Sequence, residues 1–390
     1  MGSVVAIVRH EQKGNSLGRA IELCAGFEKL KESHKVLIKP NLVMPLAPGE
    51  TGDGVITRLE LVKDLIELLR EYGCSDITVG EGPPEMQNVL GFGSEMVMET
   101  TGYGRLADEL GVKVVNFNRG KFRRVTWQGE GFEIAEPCYE ADFLINVPVL
   151  KTHRQSVISM GLKNLKGCLK NMSKRHFHRY GLHKHIAFLG TQIKTDLVVI
   201  DGIYAVQRGP VGKDIRRLDL IIAGKDIFSC DMAGSAVLGI DPKIVPHFQE
   251  YSQLTGRKIS LEDIEIKGEK IEDVATRLEW EQSWSDMPGD YGLKGITFQD
   301  PGADVCTACG MTVWFGMRNF FKENKGAAFE NVEFCVGPGP KAKEESKKVI
   351  LFGECAINAN KDRPDAVQLK GCPPGADQTY QILREHMVKL

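Results

Sequence analysis

Through its first 240 residues the chain alternates short β-branched runs with amphipathic segments of helical period. Val36-Leu-Ile38 precedes a helix expected over about Arg58 to Tyr72, whose Leu61, Leu65, Leu68 and Leu69 share one stripe, and Ile77-Thr-Val79 follows. A second helix is expected near Met96 to Leu110, leading to Val112-Lys-Val-Val115. Phe143-Leu-Ile145, Leu197-Val-Val-Ile200 and Leu218-Asp-Leu-Ile-Ile222 supply further near-continuous apolar strands. Strands without alternation are buried on both faces, so the fold class is α/β, a mostly parallel sheet flanked by helices. Arg123 to Ile134 instead reads as a hairpin turning near Gly129-Glu-Gly131. The pattern loosens after His247. The expected organisation is a core domain over residues 1–246, a connector with an edge element over 247–295, and a smaller C-terminal α/β domain over 296–390 that bears five of the ten cysteines.

Composition narrows the function classes. The chain of 390 residues is 42% hydrophobic and 26% charged with a formal net charge of -2, ordinary globular usage that argues against general nucleic-acid binding. No run of about 18 apolar residues is present, so no membrane partner is expected, and the N-terminus lacks a secretory signal; the location read from this is cytoplasmic. Cysteines in a reducing compartment are thiols or metal ligands.

The charge is unevenly spread. Lys151 to Thr195 holds ten Lys/Arg and five His without one Asp or Glu, a gap that a bound anion would fill. Polar, Gly- and Pro-bearing segments leave five strands: Lys39-Pro-Asn41, Gly80-Glu-Gly82, Asn146 to His153, Asp201-Gly202 with Arg208-Gly-Pro210, and Ala223-Gly-Lys-Asp226. Ligands of open α/β sheets bind beyond the carboxyl ends of the strands, so these exits are expected to share one cleft for a small anionic molecule. The candidate catalytic groups are Lys151, His153, His178 and Asp201, with Asp231 a further candidate for orienting a lysine or histidine. The candidate substrate contacts are Lys39, Asn41, Arg154, Lys163, Asn164, Lys166, His176 and Arg208. Lys163 and Lys166 share a face if helical, and His176-Phe-His178 also suits a strand. No P-loop, nucleophile elbow or nucleotide fingerprint is present.

Cys306-Thr-Ala-Cys309, Gly353-Glu-Cys355 and Gly371-Cys372-Pro373 form the second constellation. Two thiolates two residues apart wrap one metal centre, and Cys-Pro on a turn presents a cluster ligand. The expected cofactor is an iron–sulfur cluster, 4Fe-4S, on Cys306, Cys309, Cys355 and Cys372, with Cys335 as a substitute ligand or a buried bystander. Structural zinc is the alternative, weakened because its ribbon form wants two close pairs. Cys24, Cys74, Cys138, Cys168 and Cys230 read as buried hydrophobes.

Ile38-Lys-Pro-Asn41, Thr101-Gly-Tyr103, Asn146-Val-Pro148 before Lys151-Thr-His153, Leu162-Lys-Asn-Leu-Lys-Gly167, Val199-Ile-Asp-Gly202 with Gly209-Pro210, Ala223-Gly-Lys-Asp226 and Gly239-Ile-Asp-Pro242 resemble the family called domain of unknown function 362. The resemblance spans about residues 30 to 250 and extends through Arg175 to His178 and Asp231. It implies association with an iron–sulfur module, though the dispersed cysteines here, with a single C-x2-C, depart from the repeated ferredoxin-like spacing. Gln207-Arg-Gly-Pro210 likewise stands where many members have Gly-x-Gly-Pro. Together these readings point to an iron–sulfur protein acting on a small anion, with the cluster near the cleft. A three-cysteine cluster would suit lyase or dehydratase chemistry, and a four-cysteine cluster electron transfer with a redox partner. The rival readings are an electron-carrying or assembly protein docking an acidic partner, and an anion-binding enzyme with a zinc module. A homo-oligomer is compatible with either.

Overall fold

The computed structural model describes residues 2–11, 14–212, 214–281, 284–299 and 305–390. The chain forms two compact units. The first takes the chain up to Glu85 and again from Gly93 to Trp280; the second takes Met86–Phe92 and the chain from Glu281 onward.

The strands of the first unit are β1 (Ser3–Arg9), β2 (Val36–Lys39), β3 (Ile77–Glu81), β4 (Lys113–Asn116), β5 (Phe122–Trp127), β6 (Glu130–Ala135), β7 (Phe143–Asn146), β8 (Lys151–His153), β9 (Val157–Ser159), β10 (Leu197–Val206), β11 (Ile215–Gly224) and β12 (Ile264–Gly268). Eight of them make one sheet in the order β12-β1-β11-β10-β7-β2-β3-β4. All pairings are parallel except those of β11, which runs against both β1 and β10. The central strands β2 and β7 are buried throughout, as continuous apolar runs require when helices cover both faces. The helix Leu59–Glu71 buries Leu61, Val62, Leu65, Ile66 and Leu69, one stripe of its surface. The β5–β6 hairpin closes through Gln128 and Gly129, both at positive φ, a two-residue loop whose twist matches its strands.

Four expectations change. The helix anticipated over Met96 to Leu110 is broken: Ser94–Thr100 stops before Gly102 at φ 81°, and a short 3-10 turn leads into Leu106–Leu110. The run at Leu218 belongs to antiparallel β11, so its exit at Gly224 lies at the opposite end of the sheet from the other four. Asp226 there caps the helix Ile227–Val237 and pairs with Arg257 at 2.6 and 2.7 Å. The His176-Phe-His178 segment is in the helix Asn171–Tyr180, where two-residue spacing turns the histidines to different sides. Finally, much of the anticipated connector is first-unit structure, comprising the helix Pro246–Thr255 and β12, which pairs with β1 as an edge strand. Residues 282 and 283 of that stretch lie outside the described residues.

The second unit has its own sheet of β13 (Lys294–Phe298), β14 (Ala328–Val336), β15 (Lys348–Phe352) and β16 (Val367–Leu369), side by side in that order and wholly parallel. The helix Thr307–Glu323 connects β13 to β14, Gly353–Ala359 connects β15 to β16, and Ala376–His386 follows β16. The core gathers Trp284, Phe298, Val313, Met317, Phe321, Phe329, Phe334, Phe352 and Leu383. Among the described residues no helix is long and apolar enough to cross a membrane.

Candidate functional site

Parallel neighbours end at the same edge, which puts Lys39, the last residue of β2, beside Glu81, the last residue of β3. Lys39 Nζ lies 2.5 Å from Glu81 Oε2 and donates to Pro40 O at 2.9 Å, and both side chains are buried. Gly82 N donates to the other carboxylate oxygen at 2.9 Å. The segment 161–168 closes over this pair at Gly167, where a Cβ would stand 2.0 Å from Glu81 Oε1 and 2.6 Å from Lys39 Nζ, so any larger residue would have to displace the pair. Lys39 is thus a compensated, structural cation.

Lys151 and Lys163 have no carboxylate in contact with them among the described residues. Lys151, which opens β8, donates from Nζ to Val55 O at 2.6 Å, the same carbonyl that accepts Asn41 Nδ2 at 2.8 Å. Asn41 and Lys151 therefore tie down the 52–57 loop. Burial pushes the Lys151 amine down to about 7, with Glu81 acting in the opposite sense. Lys163 makes no hydrogen bond or ion pair among the described residues; burial, then the charge of Lys151, push its amine down to about 7 as well. Lys166 Nζ lies 2.5 Å from His178 Nε2.

His153 joins the group from the end of β8. Its Nδ1 accepts from the N–H of Gln155 at 3.1 Å and of Ser156 at 3.3 Å, so in the neutral ring Nε2 carries the proton. Burial first, then Lys163, Lys151, Lys166 and His178, hold its pKa well below the usual histidine value. The turn that makes those bonds leads into Val157 at φ 65°, a conformation a β-branched residue adopts only under constraint. His178 is lowered by burial, Lys166, Lys163 and His183.

The carboxylates and amides frame this cluster. Asp231 accepts from Gly161 N at 2.6 Å and Leu162 N at 2.8 Å, fixing the short helix Gly161–Asn164 that carries Lys163. Burial pushes Asp231 up to about 7 against those two bonds. Asn164 donates to Asn146 Oδ1 at 2.8 Å while Asn146 Nδ2 donates to Gly161 O at 2.9 Å, locking the segment onto the end of β7. Asp201 accepts from Arg58 N at 2.8 Å and Ile203 N at 3.3 Å, anchoring the start of the helix Leu59–Glu71 rather than orienting a lysine or histidine. Its burial raises it to about 6. Arg154 donates from Nε to Arg208 O at 3.2 Å, while Arg208 is exposed with its guanidinium 3.5 Å from Asp214.

The structure thus gathers Lys151, His153, Lys163, Lys166 and His178, gives Lys39 its own counter-charge, and uses Asn41, Asn164 and Asp201 as braces. Three residues of the neighbourhood were not singled out from sequence: Glu81, Asn146 and His247. The first two stood in the strand exits, where their type and position were a usable signal. His247, buried on the helix Pro246–Thr255 and influenced by Lys163 and His183, had none, since nothing near it in the chain is basic except Lys243.

In the second unit Cys306 caps the helix Thr307–Glu323, its Sγ accepting from Cys309 N at 3.5 Å. Cys355 lies in the first turn of Gly353–Ala359, and Cys372 follows β16. The last two loops are joined by Glu354 N to Gly371 O at 3.1 Å and Gly371 N to Glu354 Oε1 at 3.3 Å. Gly353, at φ 87°, would place a Cβ 3.7 Å from Cys309 Sγ. The Cys309 thiol is pushed far up by its hydrogen bond with Cys306, by burial, and by the charges of Cys306, Cys372 and Cys355, so all four sulfurs share one neighbourhood. Cys309 is buried, Cys306 half-buried, Cys355 and Cys372 exposed. Cys335 lies inside β14, raised to about 12 chiefly by burial, and none of the other cysteines acts on it. As the side chains stand, no three His, Cys, Asp or Glu among the described residues are grouped to hold a metal ion. Four thiols placed after strands of one direction are the donor type a cluster takes, and each of the other three acts electrostatically on Cys309.

Two outcomes are expected. Glu81→Gln, which leaves Lys39 buried without its counter-charge, should cost about 3–5 kcal/mol in urea unfolding. Lys151 and Lys163 hold protons less tightly folded than unfolded, where lysine titrates near 10.5, so protonation favours the unfolded chain. Stability of the ligand-free protein should therefore climb as pH rises above about 7 and level off toward 10.5, and Lys163→Met should flatten that climb in thermal melts taken across the range.

The profile of the family described as Domain of unknown function (DUF362) matches residues 36–236, which hold every basic and bracing residue above except His247. A thylakoid-associated protein from Synechocystis sp. is 32% identical over 227 residues, covering 56% of this chain and 67% of that protein. Among solved structures, the lactate racemase apoprotein from Thermoanaerobacterium thermosaccharolyticum is similar at 14% identity and a TM-score of 0.38, covering 59% of this chain and 57% of that one, a likeness too partial to carry any chemistry across. With just over half of its length matched by the profile, this chain belongs to the DUF362 family.

Proposed function

We propose that the first unit binds a small anion between Lys151, Lys163, Lys166, His153 and His178, and that the second unit carries an iron–sulfur cluster on Cys306, Cys309, Cys355 and Cys372. The observation that supports the anion is Lys163: a largely enclosed amine beside a second buried lysine, without a carboxylate set against it. Leaving two such cations uncompensated is unfavourable, and either proton loss or a bound anion relieves it. Their depressed affinity for protons makes Lys151 and Lys163 competent as bases or nucleophiles near neutral pH. The neutral His153 ring carries its proton on Nε2 and feels the charges of the same lysines, which places an imidazole of fixed tautomer in their neighbourhood.

The cluster reading is supported by the shared neighbourhood of the four thiols and by two helix N-termini, those of Thr307–Glu323 and Ala376–His386, whose dipoles favour negative charge. Such a cluster would supply electrons if all four cysteines ligate it, and a Lewis-acidic iron if one does not. Exposure of Cys355 and Cys372 favours the first case, with electrons exchanged at the surface with a redox partner.

Isothermal titration with sulfate should show binding that weakens as pH rises through and above 7, with proton uptake, because the lysines must be charged to hold it. Lys163→Ala should weaken it at least about tenfold, the usual loss when one charge-assisted contact goes; unchanged binding would remove the site. Protein purified without air should be brown and hold about four irons with matching sulfide. Cys309→Ser should lose most of that iron while Cys335→Ser keeps it. Colourless protein with one zinc per chain would overturn the cluster.

A further inference from the structure

His247 is the anomaly of the first unit. Its ring is fully buried, and neither Nδ1 nor Nε2 has a hydrogen-bond partner among the described residues. A neutral imidazole offers one donor and one acceptor, and leaving either of them buried and unmet is unfavourable. Phenylalanine would fill the same space without that cost, so packing alone does not account for a histidine here.

Its surroundings indicate what it meets. The ring lies parallel to that of His183, with centroids 6.5 Å apart and planes 12° apart, and the helices that carry them, Leu182–Gln192 and Pro246–Thr255, pack together. Lys163 acts electrostatically on His247 and also on His153. Lys151 and Lys166 act on His153, yet neither is among the groups acting on His247. Lys163 is therefore the one lysine that acts on both His153 and His247, and only His183 and Lys163 act on His247, neither of them acidic.

We propose that the anion site has a second pole built from His247, His183 and Lys163, and that its ligand is a short dianion with an oxyanion group at each end, a dicarboxylate or a phosphonocarboxylate in chemistry. This rests on the anion reading of Lys151 and Lys163 and specifies the ligand it takes. One oxyanion sits against Lys151, His153 and Lys163; the other accepts a hydrogen bond from the buried His247 ring. Lys163 and His183 lie within the residues that the family profile matches and His247 lies beyond them, so the chain's continuation contributes the buried ring of this pole.

The test is calorimetric titration of the full chain with malonate, succinate, glutarate and phosphonoacetate, each against the monocarboxylate of equal carbon number. At least one dianion should bind about tenfold more tightly than its monoanion, the contribution of one charged contact. In His247→Phe that ratio should fall toward one. Should this variant not fold, His247→Gln, which keeps one donor, should still reduce the ratio severalfold. Equal affinity for dianions and monoanions in the unaltered protein, or an undiminished preference in a folded variant, overturns the second pole. If sulfate binds nevertheless, the anion reading survives and only the second pole fails. If neither sulfate nor any carboxylate binds, both fall together.

Discussion

Strand direction is the constraint on which the molecule rests. Every strand of the first sheet except β11 runs the same way, as do all four of the second. A parallel strand must be followed by a crossover, so what leaves its carboxyl end is loop or helix start, free of the ladder and able to carry polar groups. Lys39, Glu81 and Asn146 are the final residues of three adjacent strands, β2, β3 and β7, and Lys151 comes soon after the last of them. In the second unit Cys306, Cys355 and Cys372 follow β13, β15 and β16 in the same manner. Chemistry-bearing residues far apart in each unit's sequence need no other device to become neighbours.

Within the first site the same residue type has opposite fates, and the difference is counter-charge. Lys39 meets Glu81 at 2.5 Å in a closed setting where a partnered cation is stable. Lys151 has only a carbonyl and Lys163 no partner among the described residues, so burial lowers the hold of both on protons and the charge of Lys151 lowers that of Lys163 further. The braces around them, Asp231 on the helix start and the Asn146–Asn164 pair, hold the amines close despite that repulsion. A rigid frame that keeps like charges together is the pre-organised half of an anion site.

The basic residues, the cysteines and most strands were legible in the chain because each rests on local pattern: an apolar run, a gap in acidic residues, a C-x2-C spacing. The departures share one cause. Helix Met96 to Leu110 breaks because Gly102 takes a positive φ, which spacing does not reveal. β11 has the composition of a parallel strand yet pairs antiparallel, since its short connection from β10 permits a hairpin and no crossover. Asn41, read as a substrate contact, and Asp201, read as a catalytic group, also carry structural bonds that spacing does not reveal: Asn41 Nδ2 donates to Val55 O, and the Asp201 carboxylate accepts from the backbone of Arg58 and Ile203.

Composition and periodicity thus specified which segments are buried, which charges lack partners nearby in the chain, and which thiols come in a close pair. Long-range pairing alone settled whether an enclosed cation finds its anion: Glu81 for Lys39 from the neighbouring strand, none for Lys163 among the described residues. The same holds for His247, unremarkable where it stands in the chain and, among the described residues, buried without a hydrogen-bond partner. The physical reason is that desolvation and hydrogen-bond satisfaction are properties of a surrounding volume, and a linear neighbourhood does not define that volume.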